Sequence, residues 1–388
     1  MNCDWSRYQW AARLGLVILA FLTSCPVGLA QINFEITPEI DELLRAGLSS
    51  LYNFDLTEAN KRFHELTRRF PQHPVGYVYK AEVIWWQALQ DRSNVALHEE
   101  FDRYTAQAIS SGEALLKKSP QDFYALLYLA AAYGNKTRYQ GGVKRAYWAA
   151  MQSGLRGYAY IKEAATLRPE NIDCLIGTGS YNYFTGALPA VVKPFAWMFG
   201  ARGDKNEGIR QLQLASQQGE YGQTEAKTVL LPIYSNEERF DDYQKLLAQL
   251  IDQYPSNPVF YMWMGNSFIS QKKANEGIQF FAELIKRGDD SSAARVDLPA
   301  ANYEKGRLEM DRKSWDAAVS SLTRTIEARP ADAKLLVRAH LQRGFALDLK
   351  GQRAGAILNY QTVLNLPNVE NSHGKAKRHL KTPYNGAL

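Results

Sequence analysis

The side chains in this sequence that could do chemistry are its histidines, its cysteines and its scattered carboxylates, and their spacing speaks against a catalytic or metal site. The histidines are His64, His73, His98, His340, His373 and His379. None falls into His-x-x-x-His or His-Glu-x-x-His, the spacings that bring two imidazoles to one helix face around a zinc ion. The nearest cluster is His98-Glu99-Glu100 with Asp102. Adjacent residues on a helix point apart, so it reads as a solvated face. There is no Gly-x-Ser-x-Gly elbow to present a nucleophile and no Gly-x-x-x-x-Gly-Lys loop to cradle phosphate. Gly177-Thr-Gly179 is too short for a dinucleotide fingerprint and lies in a helical context. Cys174 sits in an apolar stretch before Leu175 and Ile176, where burial is the expected fate of the thiol. With Cys3 and Cys25 near the N-terminus, Cys174 has no partner for an intrachain disulfide or a cysteine metal site. The expectation is therefore no catalytic residue, no metal and no cofactor, with only a site assembled from distant residues left open.

Composition sets the frame for what these residues sit on. Of 388 residues, 46% are hydrophobic and 22% charged, the balance of a folded chain. The formal charge of +6 is mildly basic. It lacks the clustered basic face of a nucleic-acid binder, so no nucleic-acid partner is expected. The one dense basic run, Lys375, Lys377, Arg378 and Lys381, reads as a solvated helix end within a basic tail over 369–388. At the other end, Arg7 and Arg13 precede an apolar run from Leu14 to Leu22. That run is shorter than the roughly 20 apolar residues a membrane span needs and has the length of a signal-peptide core. Two exits compete. Gly28-Leu29-Ala30 offers small residues for cleavage before Gln31, giving a signal peptide over 1–30. Leu22-Thr23-Ser24-Cys25 resembles a bacterial lipobox, in which Cys25 would carry the lipid. Either way the chain is expected to be exported to the periplasm or outer cell envelope, soluble or lipid-anchored, with 31–388 as its body.

Most of that body is helical in pattern, broken by Pro and Gly, and it repeats. Gly47 is followed at twelve residues by Ala59, at four more by Phe63 and at eight more by Pro71. The same ladder recurs as Gly306, Ala318, Leu322 and Pro330, and as Gly344, Ala356 and Tyr360 with Pro367 one residue early. Looser copies are Gly265, Gly277, Phe281 and Asp289, and Leu231, Tyr243, Leu247 and Pro255. Small residues let two helices approach, a bulky one fills the seam, and proline ends the pair. This small-small-bulky-Pro ladder resembles the tetratricopeptide repeat (TPR) family. The resemblance implies an all-α fold: a solenoid of about six to eight stacked antiparallel helix pairs, wound into a right-handed superhelix with a concave face. Two middle pairs read as stretched. Pro74 to Gln90 pairs with Tyr104 to Lys118, and a helix from Tyr124 to Gly134 is separated from its partner by an insertion from Asn135 to Ser153. The array is expected from about Pro38 to about Leu366, with the tail docked on its end.

The stretch 186–208 departs most from a repeat. Its Leu188, Pro189, Gly200, Gly203, Asp204 and Gly208 resemble a motif of the tetratricopeptide repeat protein 39 family, which implies a non-enzymatic scaffold tied to protein or lipid handling. Asp204 is placed to cap the next helix. Trp197, Met198 and Phe199 either plug the break in the repeat, or line a pocket for a lipid-like molecule or touch a membrane surface. In TPR proteins the first helix of each pair lines the groove, and its register selects Met262, Asn266, Tyr303, Arg307, Leu341 and Phe345, with Arg338 one turn earlier. These either face a partner or pack against the next repeat. The expected function is a non-catalytic scaffold binding a protein or peptide in the cell envelope, with Arg307 and Arg338 holding an acidic segment. The alternative is a carrier of a lipid or other apolar molecule beneath 186–208.

Overall fold

Helix starts in this chain are marked by short polar side chains that accept from the otherwise orphaned N–H groups of the first turn. Asp122 accepts from Ala125 N at 2.8 Å, Asp204 from Asn206 N and Glu207 N at 2.8 and 3.0 Å, and Asp297 from Ala300 N at 3.0 Å. The computed structural model describes residues 35–90, 94–189, 193–198, 202–290, 297–330 and 332–386. The leader region with Cys25 lies outside the described residues. So do Phe199 and Gly200.

Among the described residues the secondary structure is helical, in antiparallel pairs of consecutive helices. They are α1 (Pro38–Tyr52) with α2 (Leu56–Arg69), α3 (Val75–Gln90) with α4 (Val95–Lys118), and α5 (Phe123–Gly142) with α6 (Tyr147–Leu167). Next, α7 (Cys174–Gly186) packs on α9 (Lys205–Gln218), with the short α8 (Lys193–Met198) between them in sequence. Then follow α10 (Gln223–Asn236) with α11 (Phe240–Gln253), α12 (Pro258–Ser270) with α13 (Ala274–Asp290), α14 (Leu298–Asp311) with α15 (Trp315–Glu327), and α16 (Ala333–Leu349) with α17 (Arg353–Leu364). A final α18 (Ser372–Lys381) covers the end of the stack. The fold is an all-α, TPR-like solenoid.

In its three sharper copies the repeat ladder is the contact that closes the pair. A Cβ on Gly47 would lie 2.3 Å from the Phe63 ring, and one on Gly344 would lie 2.5 Å from the Tyr360 ring. Ala59, Ala318 and Ala356 are fully buried beside these seams. Two expected boundaries are corrected. Asn135 to Ser153 is not an insertion: α5 runs on to Gly142 and α6 begins at Tyr147, so the pair is long rather than interrupted. Likewise α4 begins at Val95 rather than Tyr104.

The solenoid turns back on itself. Asn257 Nδ2 donates to Tyr52 O at 2.9 Å, and Arg45 pairs with Glu220 at 2.9 Å. Trp86, fully buried, meets Phe260 and Trp263 at ring distances of 5.9 and 6.1 Å. One hydrophobic cluster therefore runs from Ile40 in α1 to Ala339 in α16. The inner wall also buries charge. Arg138 on α5 donates to Glu82 of α3 at 2.5 Å and to Asn135 Oδ1 at 2.6 Å, lies 3.8 Å from Glu225 of α10, and covers the Trp85 ring at 4.7 Å.

The tail docks through specific bonds. Arg353 donates to the carbonyls of His379 and Leu380 at 2.7 and 2.8 Å. Tyr384 stacks on Phe345 at 4.2 Å, and its N–H donates to the buried Asp348 carboxylate at 2.8 Å. Lys375, Lys377, Arg378 and Lys381 face solvent. Replacing Tyr384 by alanine removes the stacked ring from Phe345 and is expected to cost about 2 kcal/mol, read as a shift in the urea midpoint of the full chain. No helix among the described residues is long and apolar enough to cross a membrane.

Candidate functional site

The first helices of successive pairs line the inner wall, so α12, α14 and α16 bring their inward residues to one strip. Met262 of α12, Tyr303 and Glu304 of α14, and Asp332, Leu335 and Arg338 at the start of α16 surround a single depression, with Pro258 and Val259 at its edge. Met262, Tyr303 and Arg338, picked out by register, are thus brought together. Asn266 and Arg307 lie beside them, linked to each other: Arg307 Nη1 donates to Asn266 Oδ1 at 3.0 Å and to Glu304 Oε2 at 2.7 Å. Phe345 is a correction. It is buried beneath Tyr384 and against His379, because the tail folds over that end of the wall, and so it does not face a groove. Leu341 is buried as well.

Two carboxylates that the register did not select organise the strip. Glu304 is buried, and its position depends on Gly265: a Cβ there would lie 2.2 Å from Glu304 Oε2. The looser ladder copy thus keeps its glycine to admit a carboxylate rather than a bulky ring. Burial pushes the Glu304 acid up to about 7, with Arg307 pulling the other way. The i,i+3 spacing of Glu304 and Arg307 was the sequence signal for this pair. The second carboxylate, Glu370, forms an ion pair with Arg338. It comes from the turn before α18, where Glu370 and Asn371 adopt consecutive left-handed conformations with φ of 50° and 59°. Such conformations are costly for residues with a Cβ, so surrounding contacts must hold the turn in place. Both arginines expected to meet a partner's acid therefore already hold acids of this chain.

The buried Glu304 sets a pH dependence. Its folded-state pKa lies above the ordinary carboxylate value, so the folded form binds the proton more tightly than the unfolded one. Its contribution is favourable below about pH 4.5 and is lost as the pH rises towards 7. Glu304→Gln is expected to flatten the change in urea midpoint between pH 5 and pH 8.

The other positions of interest are structural or peripheral. Cys174 is buried, and burial pushes its thiol up to about 12. His98 Nδ1 lies 2.7 Å from the Tyr139 hydroxyl, and Asp102 pairs with Lys144 at 2.7 Å. No group of three or more His, Cys, Asp and Glu side chains among the described residues could hold a metal ion. Around 186–208, Trp197 falls in α8 and Met198 is exposed. The glycines there form a seam between helix backbones. A Cβ on Gly208 would lie 2.5 Å from Tyr183 N and 2.6 Å from Gly179 O, and one on Gly203 would lie 2.5 Å from Asn182 O.

No family model matches the chain, and no curated protein matches it in sequence. Among solved structures, the chain is similar to the APC/C hetero-tetramer Cut9–Hcn1, at 13% identity and a TM-score of 0.40. That match covers 93% of this chain and 58% of the other, so this chain spans little more than half its length. A tetratricopeptide repeat protein from Parabacteroides merdae matches at 11% identity over 78% of this chain and 99% of that one, with a TM-score of 0.31. Yeast Tom70 matches at 10% identity over 86% of each chain, with a TM-score of 0.37.

Proposed function

We propose that the chain is a non-catalytic scaffold that holds an extended acidic segment of a protein partner along α12, α14 and α16. The observation that carries this is the ion pair between Arg338 and Glu370, set beside the apolar Met262 and Leu335. The strip already binds a carboxylate, supplied by the chain's own strained turn, and a partner's acid would take its place. Arg307 and Asn266 extend the surface one turn further. In this reading the protein acts in the cell envelope after export, either free or anchored through Cys25.

Peptide display against the purified protein tests the proposal. Acidic peptides should be enriched, Arg338→Glu should abolish their retention, and Glu370→Gln should strengthen it severalfold by removing the internal competitor. Enrichment of peptides without acidic residues, or retention unaffected by Arg338→Glu, would overturn the reading. Lipid recovered reproducibly by extraction and mass spectrometry of the purified protein would favour carriage of an apolar molecule instead.

A further inference from the structure

Helix α6 is built inside out. Its buried stripe is made of small side chains, Ala150, Ser153, Gly157 and Ala164, with Ile161 the one large member. Its first two turns present the large apolar residues outward: Tyr147 is 71% exposed, Trp148 69%, Met151 44% and Leu155 39%. Residues at i, i+3 or i+4, and i+7 or i+8 share one helix face, so these side chains form a continuous stripe. The patch extends onto the next helix. Tyr158 stacks on Tyr181 of α7 at 3.4 Å, and a Cβ on Gly177 would touch Ile161, so α6 and α7 run antiparallel in this register. In this register Phe184, one turn beyond Tyr181 and 52% exposed, is level with Leu155, one turn before Tyr158. Leaving large apolar side chains in water forgoes the free energy of burying them, and a contiguous exposed patch of this kind marks an interaction surface.

The charge around the patch identifies its occupant. From Phe123 to Lys162 the sequence contains no Asp or Glu, and from Cys174 to Gly203 it again contains none. Those two segments carry Lys136, Arg145, Arg156, Lys162, Lys193 and Arg202, besides Arg138 and Lys144, which are held by Glu82 and Asp102. Arg145 and Arg156 are exposed at the edges of the stripe. A shallow row of Trp, Tyr, Met and Leu edged by Arg145 and Arg156, on segments that carry no carboxylate of their own, matches the boundary between headgroups and acyl chains of an anionic bilayer. We propose that this face of α6, with Phe184, docks the solenoid on an anionic lipid surface. The patch lies mainly on α6, with Phe184 on α7, and shares no residue with the strip on α12, α14 and α16, so both surfaces can be occupied at once.

Vesicle flotation of the full chain tests this, using phosphatidylcholine vesicles with and without phosphatidylglycerol. The comparison is between wild type and the variant Trp148→Ser, Met151→Ser, Leu155→Ser. All three side chains are exposed, so the variant should keep its circular dichroism spectrum and unfolding midpoint. The N-terminal segment is common to both proteins, so the difference between them reports α6. Wild type should float with the phosphatidylglycerol vesicles, and the variant's partition should be lower by at least about tenfold. Arg145→Glu with Arg156→Glu should lower it as well, and added salt should weaken wild-type binding. Equal flotation of wild type and the serine variant, or equal binding to both kinds of vesicle, would overturn the proposal. So would a wild-type dimer in sedimentation that the serine substitutions dissociate, which would assign the face to a second copy of the chain.

Discussion

Replacing Arg138 by methionine is expected to lower the unfolding free energy by about 3–5 kcal/mol at pH 8, and by much less at pH 5. The guanidinium lies between Glu82 and Glu225 in the contacts that join α3, α5 and α10. Methionine preserves the packing over Trp85 but leaves the buried Glu82 and the half-buried Glu225 without the cation they share. Burial already holds the Glu225 acid above the ordinary carboxylate range, with Arg138 pulling it down and Glu82 adding to the rise. Without the arginine the pKa rises further. The folded form then takes up protons that the unfolded form releases, so stability falls as the pH rises through the folded-state value and recovers below it. Urea titrations at both pH values measure this. Adding Glu225→Gln to Arg138→Met should restore much of the loss at pH 8. A loss that is equal at both pH values and unrelieved by the second substitution would show that packing, rather than charge, is what Arg138 supplies.

The second large effect is expected at Gly208. Leucine there should cost at least about 3 kcal/mol and loosen α7 from α9. The atoms a Cβ would strike are the backbone of Tyr183 and Gly179, which cannot rotate aside as a side chain can. Gly134 is the control. It also lies within a helix, but nothing stands within 4 Å of its Cβ position, so Gly134→Ala should be neutral or stabilising. Thermal unfolding of the two variants separates close helix approach from helix propensity.

The difference between these glycines also shows what was legible in the sequence. Gly47 and Gly344 could be read because their bulky partners recur at a fixed distance, and the structure places each against that partner. The sequence reading ends this helix at Gly134, yet α5 runs on through Gly141 to Gly142. A glycine costs a helix about 1 kcal/mol, and the length of the α5–α6 seam outweighs that. Within the seam Ser153 bonds Gln140 at 2.8 Å, and a Cβ on Gly157 would lie 3.1 Å from Tyr133 Cβ. The inner strip was legible to the same degree. Register alone selects Met262, Tyr303 and Arg338, because it fixes which way a first helix faces. It does not select Glu370, which reaches Arg338 from a turn beyond the repeats, and it places Phe345 on an open face that Tyr384 covers. Both depend on where the tail docks, a long-range choice that no local spacing encodes.

The bond from Asn257 to the Tyr52 carbonyl joins residues 205 apart in sequence. In an open repeat array each pair needs only its neighbour, and folding can advance from the first repeat onward. Here Trp86 stays without Phe260 and Trp263 until α12 exists. At roughly 5–20 residues per second of synthesis, the opening helices spend some tens of seconds with their aromatic faces unsheltered. A nascent chain halted short of α12 would therefore be sticky and open to proteases, and a stalled or truncated product would be cleared rather than accumulate as a shorter scaffold.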